Sequence, residues 1–153
     1  MPLHQETRIL PYSAEQMYAV VADIERYPEF LPWCSKLAVV TREKEGETEL
    51  VTAEMAIAYG GLRERYLSMV RLDPRGLAIE ARHIEGPFKR LDTRWRFVPL
   101  AAGSEVHFLI DFAFRNPLLS AVANVAFGFV ASRMAEAFVQ RAQALYGSED
   151  LKQ

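Results

Sequence analysis

The stretch from Asn116 to Tyr146 constrains this chain more than any other, because it reads as one uninterrupted helix. Asn116 is a good N-cap, Pro117 sits in the first turn where a proline is tolerated, and Gly147 offers a left-handed stop. At about 1.5 Å per residue, these 31 residues predict a rod of roughly 46 Å. Its halves differ. Leu118 to Ala131 is apolar apart from Ser120, Asn124 and Gly128. From Ser132 onward Met134, Phe138, Ala142 and Leu145 share one face, with Arg133, Glu136, Gln140 and Arg141 elsewhere. A helix apolar all round at one end has more surface than a single sheet face covers. It calls for a second layer, a partner, a membrane surface or an apolar ligand. The run Pro117–Ala131, about 15 residues with Asn124 inside it, falls short of the ~20 that cross a bilayer, so it is not expected to be transmembrane.

Upstream, Leu3 to Leu10 alternates weakly and reads as a strand closed by Pro11. Ser13-Ala-Glu-Gln16 matches a capping box, and Met17, Val20, Val21 and Ile24 recur at helical spacing, which predicts a helix from Ser13 to about Ile24. In Tyr27-Pro-Glu-Phe-Leu-Pro-Trp33 the two prolines allow at most a short helical turn, whose aromatics plug one end of the core. The period then falls to two. Lys36–Arg42, Glu49–Tyr59, Leu62–Leu72, Leu77–Ile84, Leu91–Leu100 and Glu105–Phe114 read as strands. Between them lie Gly46, Gly60-Gly61, Asp73-Pro74-Arg75-Gly76, Gly86-Pro87 and Ala101-Ala102-Gly103, turn residues at hairpin spacing that predict an antiparallel meander. Leu91, Thr93, Trp95 and Phe97 share one face and Asp92, Arg94 and Arg96 the other. Val106, Phe108, Ile110, Phe112 and Phe114 point inward, opposite Glu105, His107 and Asp111. The expected fold is α+β: a seven-stranded curved antiparallel sheet around a long C-terminal helix, in a single domain over residues 1–153. Space left between sheet and helix toward the open end is the natural ligand site.

Composition narrows the function. With 50% hydrophobic residues and 25% charged, the chain has the balance of an ordinary domain with an ample core. A net charge of −2 argues against the broad basic field of a DNA binder, while leaving room for a local basic patch. One cysteine, Cys34, excludes an internal disulfide and suits a reducing compartment; it reads as a buried structural thiol. The amino terminus, MPLHQETRIL, matches neither a secretion signal nor an organellar presequence, which predicts a cytoplasmic protein, at most peripheral at the inner membrane. His4, His83 and His107 lie on different strands without metal-ligand spacing, so no metal site is expected. No phosphate loop, nucleophile elbow or paired-carboxylate motif is present, and the chain is not expected to be an enzyme.

Several strings stand in an order that carries a resemblance. They are Leu10-Pro-Tyr-Ser13, Val21-Ala-Asp23, Tyr27-Pro-Glu-Phe-Leu-Pro-Trp-Cys34, Gly86-Pro-Phe-Lys-Arg-Leu91, Trp95-Arg-Phe97 and Asp111-Phe-Ala-Phe-Arg115. From about residue 3 to 146 the chain resembles the coenzyme Q-binding branch of the START-like, polyketide cyclase/dehydrase superfamily. The resemblance implies a helix-grip fold that binds ubiquinone, or a late intermediate of it, as a ligand rather than a cofactor, acting as a lipid chaperone for respiration and quinone biosynthesis. The same family holds bacterial ribosome-association toxins that block subunit joining, and START-like relatives include aromatases and cyclases. Both stay open as alternatives.

Candidate site residues follow. Trp95, Phe97, Phe108, Ile110, Phe112 and Phe114 either line a quinone cavity or form ordinary core; Val122 and Phe129 belong to the apolar half of the long helix that would complete the wall. At about 0.8 kcal/mol per buried methylene, one isoprene unit contributes roughly 3 kcal/mol at most. On Leu62–Leu72, an inward Tyr66 brings Glu64 and Ser68 with it: either a polar end that meets a ring carbonyl, or a bulge at Gly60-Gly61 that turns Glu64 outward. The resemblance places Gly86-Pro-Phe-Lys-Arg-Leu91 at the cavity or its rim, with Lys89 toward a quinone oxygen and Phe88 and Leu91 as apolar contacts. The alternative is a rigid hairpin turn with Lys89 and Arg90 in solvent. Arg82, Lys89, Arg90, Arg94 and Arg96 form either a stripe for lipid headgroups or ribosomal RNA, or a solvated face diluted by Glu80, Glu85 and Asp92.

Overall fold

The computed structural model describes residues 3–59 and 62–147, with the side chains at 59, 62, 119 and 122–128 excepted. The elements run β1 (Leu3–Leu10), α1 (Ala14–Ala22), a 3-10 turn (Ile24–Arg26), α2 (Tyr27–Phe30), β2 (Cys34–Glu45), β3 (Thr48–Tyr59), β4 (Leu62–Asp73), β5 (Ala78–Glu85), β6 (Phe88–Leu100), β7 (Gly103–Phe114) and α3 (Pro117–Tyr146). The seven strands form one antiparallel sheet in the order β1-β7-β6-β5-β4-β3-β2. Six strands are the expected meander. β1 joins its far edge, with Thr7 opposite His107 and Leu10 opposite Ser104. Gly103 makes that junction possible. Its φ is +148°, and a Cβ there would lie 1.9 Å from the Leu10 carbonyl oxygen.

Boundaries shift where local chemistry outweighs periodicity. Ser13 caps α1 with the expected box: its hydroxyl accepts from the Gln16 amide and the Gln16 side chain accepts from the Ser13 amide. The helix stops at Ala22, two residues early, because Asp23 leaves helical geometry before the 3-10 turn. β6 begins at Phe88 rather than Leu91, so all of the Gly86–Leu91 string after Pro87 is strand; a register shift between Phe88 and Arg90 accommodates it. α3 runs as expected, with Asn116 accepting from the Leu118 amide.

One face of the sheet packs on the helices. In α3, Ala131, Ala135, Phe138 and Ala142 are buried and Met134 is half-buried. The alanines let α3 lie close to α1 and β7. Leu145, expected on that face, is 53% exposed. The last turn is fastened instead by Tyr146, which donates to the Gln16 carbonyl (3.3 Å) and tilts against Tyr12. Ion pairs Arg8–Glu136 (2.6 Å) and Arg141–Glu29 (3.2 Å) tie α3 to β1 and α2.

Candidate functional site

The inner sheet face carries two aromatic clusters with a cavity between them. The first lies under the carboxy-terminal half of α3. Trp95 stacks on Phe108 (centroids 4.3 Å apart) and on Phe97 (6.1 Å), and its ring meets the edge of Phe138 (4.9 Å). Tyr27 and Phe30 close on Phe138 at 5.3 Å each. The second lies at the β5–β6 end, where Phe88 stacks on Phe114 (4.7 Å) and meets Tyr66 (5.2 Å), His83 (5.5 Å) and Phe112 (6.1 Å). Both exist because β6 and β7 pair Trp95 with Phe108 and Phe88 with Phe114 across the ladder.

The cavity is about 160 Å³. Its sheet wall includes Ala53, Met55, Ile57, Val70, Ile79, Leu91, Trp95 and Ile110; Ile24, Tyr27, Leu31, Met134 and Phe138 close it from the helices. Polar atoms are sparse. The Tyr66 hydroxyl lies 3.0 Å from the Met55 sulfur, and the Ser68 hydroxyl donates to the Arg82 carbonyl (3.2 Å). Thr93 and Cys34 complete the polar lining, with the Cys34 thiol 3.7 Å from the Lys36 carbonyl. The Tyr27 hydroxyl donates to the Val21 carbonyl. Burial pushes the Cys34 thiol up to about 11 and raises the Tyr27 and Tyr66 phenols well above their usual value, so all three stay protonated near neutrality.

Of the residues singled out in the sequence, Tyr66, Leu91, Trp95 and Ile110 line this cavity. Phe97 and Phe108 are 2% exposed and belong to the core behind Trp95. Phe88, Phe112 and Phe114 form the second cluster instead. Glu64 is half-buried opposite Ile57, two residues before Tyr66, and the β3–β4 register runs unshifted from Glu49 to Tyr59; Gly60 and Gly61, the place of the alternative bulge, lie outside the described residues. Glu64 does not line the cavity. Neither does Lys89, which is exposed, nor Phe129, which is 61% exposed with the Arg133 guanidinium 5.7 Å from its ring. Local geometry points both away: Lys89 sits at the register shift, and Phe129 on the outer side of α3. Val122 lies outside the described side chains.

The sequence reading missed the wall supplied by Tyr27, Leu31, Trp33 and Cys34. The signal was present in the Tyr27–Cys34 string, read as a plug when it is also a lining. Gly86 explains the other string. At φ +146°, a Cβ there would sit 2.6 Å from the Tyr66 Cβ, so glycine lets the β5–β6 turn close on Tyr66 and seat Phe88 against its ring.

The outer sheet face is different in kind. Two open grooves of about 560 and 590 Å³ share Glu80 and Arg94; the first mixes polar and apolar side chains with Glu6 and Arg96, and the second is lined mostly by charged ones, including Arg71 and Arg82. They are larger than the inner cavity but offer solvated surface. Of these three, the inner cavity has the most apolar lining. Among the described residues no cluster of three potential metal ligands occurs.

A seven-stranded antiparallel sheet closed on a long carboxy-terminal helix, with an apolar cavity between them, is the START-like helix-grip architecture. A START superfamily protein from Mycobacterium smegmatis shares it, with a TM-score of 0.80 over 94% of this chain and 98% of that one at 20% identity. The chain belongs to the family described as polyketide cyclase / dehydrase and lipid transport, which matches residues 10–139. It is 37% identical to the ribosome association toxin RatA of Pseudomonas aeruginosa, over 94% of this chain and 96% of that protein. It is 33% identical to the mitochondrial coenzyme Q-binding protein COQ10 homolog B of Xenopus laevis, over 97% of this chain and 61% of that one. An 18 kDa protein from Caulobacter crescentus has a TM-score of 0.81 and 34% identity, covering 97% and 100% of the two chains.

Proposed function

We propose that this chain holds the ring of a prenylated quinone, ubiquinone or a late intermediate, in the inner cavity and acts as a carrier that does not turn its ligand over. The observation that carries this reading is the cavity itself. An apolar cavity of about 150 Å³ admits a benzene-sized guest, so about 160 Å³ suits one substituted ring. The tail then runs out past the second aromatic cluster toward the apolar half of α3, where each buried methylene adds about 0.8 kcal/mol. Tyr66 is the donor best placed for a ring oxygen, since its present partner is a thioether. The relative named for coenzyme Q binding supports the same chemistry. The test is organic extraction of protein isolated from its native host, followed by mass spectrometry. A prenylquinone is the expected product; consistently empty protein, or turnover of a polyketide chain, counts against the reading.

A separate observation favours a second reading. Arg71, Arg82, Arg94 and Arg96 are exposed on the outer face, and none forms an ion pair among the described residues. Relatives aligned along nearly the whole chain are named ribosome association toxins. Under this reading the protein co-sediments with the large ribosomal subunit and loses that association on charge reversal at Arg94 and Arg96. Retention of the double variant with the subunit would sink it.

A further inference from the structure

The outer side of the amino-terminal half of α3 carries two exposed apolar anchors. Leu118 is 77% exposed and Phe129 61%. They are eleven positions apart, about three helical turns, so both mark one line along the helix. Cations bracket the line. Arg115 precedes the helix, its amide on the Pro87 carbonyl (2.9 Å) and its Nε on the Phe88 carbonyl (3.2 Å). Arg133 follows one turn after Phe129 and lies over its ring. Between Phe112 and Ala135 the chain has no acidic residue. The acids on either side are occupied: Asp111 pairs with Arg90 (3.1 Å) and Glu136 with Arg8 (2.6 Å). At the neighbouring β5–β6 turn, exposed Glu85 and Lys89 offset each other. In a chain of net charge −2, this edge is locally cationic and greasy.

We propose that this edge of α3, anchored by Leu118 and Phe129 and bracketed by Arg115 and Arg133, docks the protein on an anionic lipid bilayer. No helix among the described residues is long and apolar enough to cross a membrane, so the geometry is that of a helix lying in the interface, apolar residues down and arginines among the headgroups. A second copy of the chain is a poorer occupant. An antiparallel self-contact through this edge would set Arg115 against Arg133 of the other copy with no carboxylate in the stretch to neutralise them. The proposal rests on the carrier reading for its purpose: it names the surface from which the ligand is taken.

The test is co-sedimentation of the purified full chain with vesicles of phosphatidylcholine alone and with about one-third phosphatidylglycerol. The anionic vesicles should bind the protein, and added salt should weaken the association. Phe129→Ser should lower binding about tenfold through lost apolar insertion, and Arg133→Glu roughly fivefold or more. Leu145→Ser, which removes an apolar residue 53% exposed at the far end of the same helix, should leave it unchanged. Absence of association with anionic vesicles overturns the proposal, as does equal binding by wild type and Phe129→Ser. So does a dimer in solution that Phe129→Ser dissociates. A short-tailed quinone titrated in vesicle-free buffer, read by the fluorescence of Trp95 in the cavity wall, separates the two claims. Quinone binding without vesicle association removes the docking surface and keeps the carrier; vesicle association without quinone binding does the reverse.

Discussion

The Tyr66 hydroxyl and the Met55 sulfur face each other at 3.0 Å across the β3–β4 ladder, inside the cavity. A thioether is a weak acceptor, so this donor loses little by turning to a carbonyl. Tyr66→Phe should change stability by no more than about 1 kcal/mol and weaken short-tailed quinone binding roughly fivefold, the worth of one neutral hydrogen bond. Urea denaturation and fluorescence titration give the two numbers. Unchanged affinity would put the ring elsewhere.

Two phenylalanines should separate core from periphery. Phe138 is 2% exposed and meets Tyr27, Phe30 and Trp95, so Phe138→Ala should cost about 3–5 kcal/mol. Phe112 is half-buried in the second cluster, and Phe112→Ala should cost less than half as much. Because Phe112 does not line the cavity, its loss should leave ring binding nearly intact. Equal costs by chemical denaturation would mean the second cluster is as tightly packed as the first.

Gly86→Ala tests the hairpin string. The new Cβ would meet Tyr66 at 2.6 Å from a backbone held at φ +146°, a combination expected to cost about 1–3 kcal/mol. Displacing Phe88 from the Tyr66 ring should also broaden the aromatic signals of this cluster in NMR spectra. An unperturbed spectrum with full stability would show that the turn tolerates a side chain.

His83 gives a pH dependence. Its Nε2 is buried without a hydrogen-bond partner among the described residues, and burial first, then the Arg115 cation, holds its pKa below the usual value. In the unfolded chain a histidine takes up a proton near pH 6.5. The stabilisation is therefore complete above that pH and is lost as pH falls toward the lower folded value. Denaturation midpoints measured from pH 8 to pH 5 should decline, and His83→Phe should shallow the decline. Parallel curves for the two proteins would mean that His83 titrates as freely folded as unfolded.

Much of the fold was legible in the residues because local rules agreed with one another. Alternation along Trp95–Phe97 and Val106–Phe114 set the two faces of the sheet, Ser13 and Asn116 set two helix starts, and turn residues set a meander. The strings around Tyr27–Cys34 and Gly86–Leu91 pointed to the helix-grip family. Which of the inward side chains meet a guest was not legible. Trp95, Phe108 and Phe114 obey a period of two and Phe88 joins their face only through the register shift beside it, and nothing along the chain distinguishes a ring that packs on another ring from one that borders a void. That depends on how α3 crosses the sheet, which Arg8–Glu136, Arg141–Glu29 and Tyr146–Gln16 decide over separations of more than a hundred residues. The same crossing leaves Phe129 in solvent and brings Tyr27 and Cys34 into the cavity wall. Periodicity is a property of neighbours and fixes direction; a cavity is what remains when distant surfaces fail to meet.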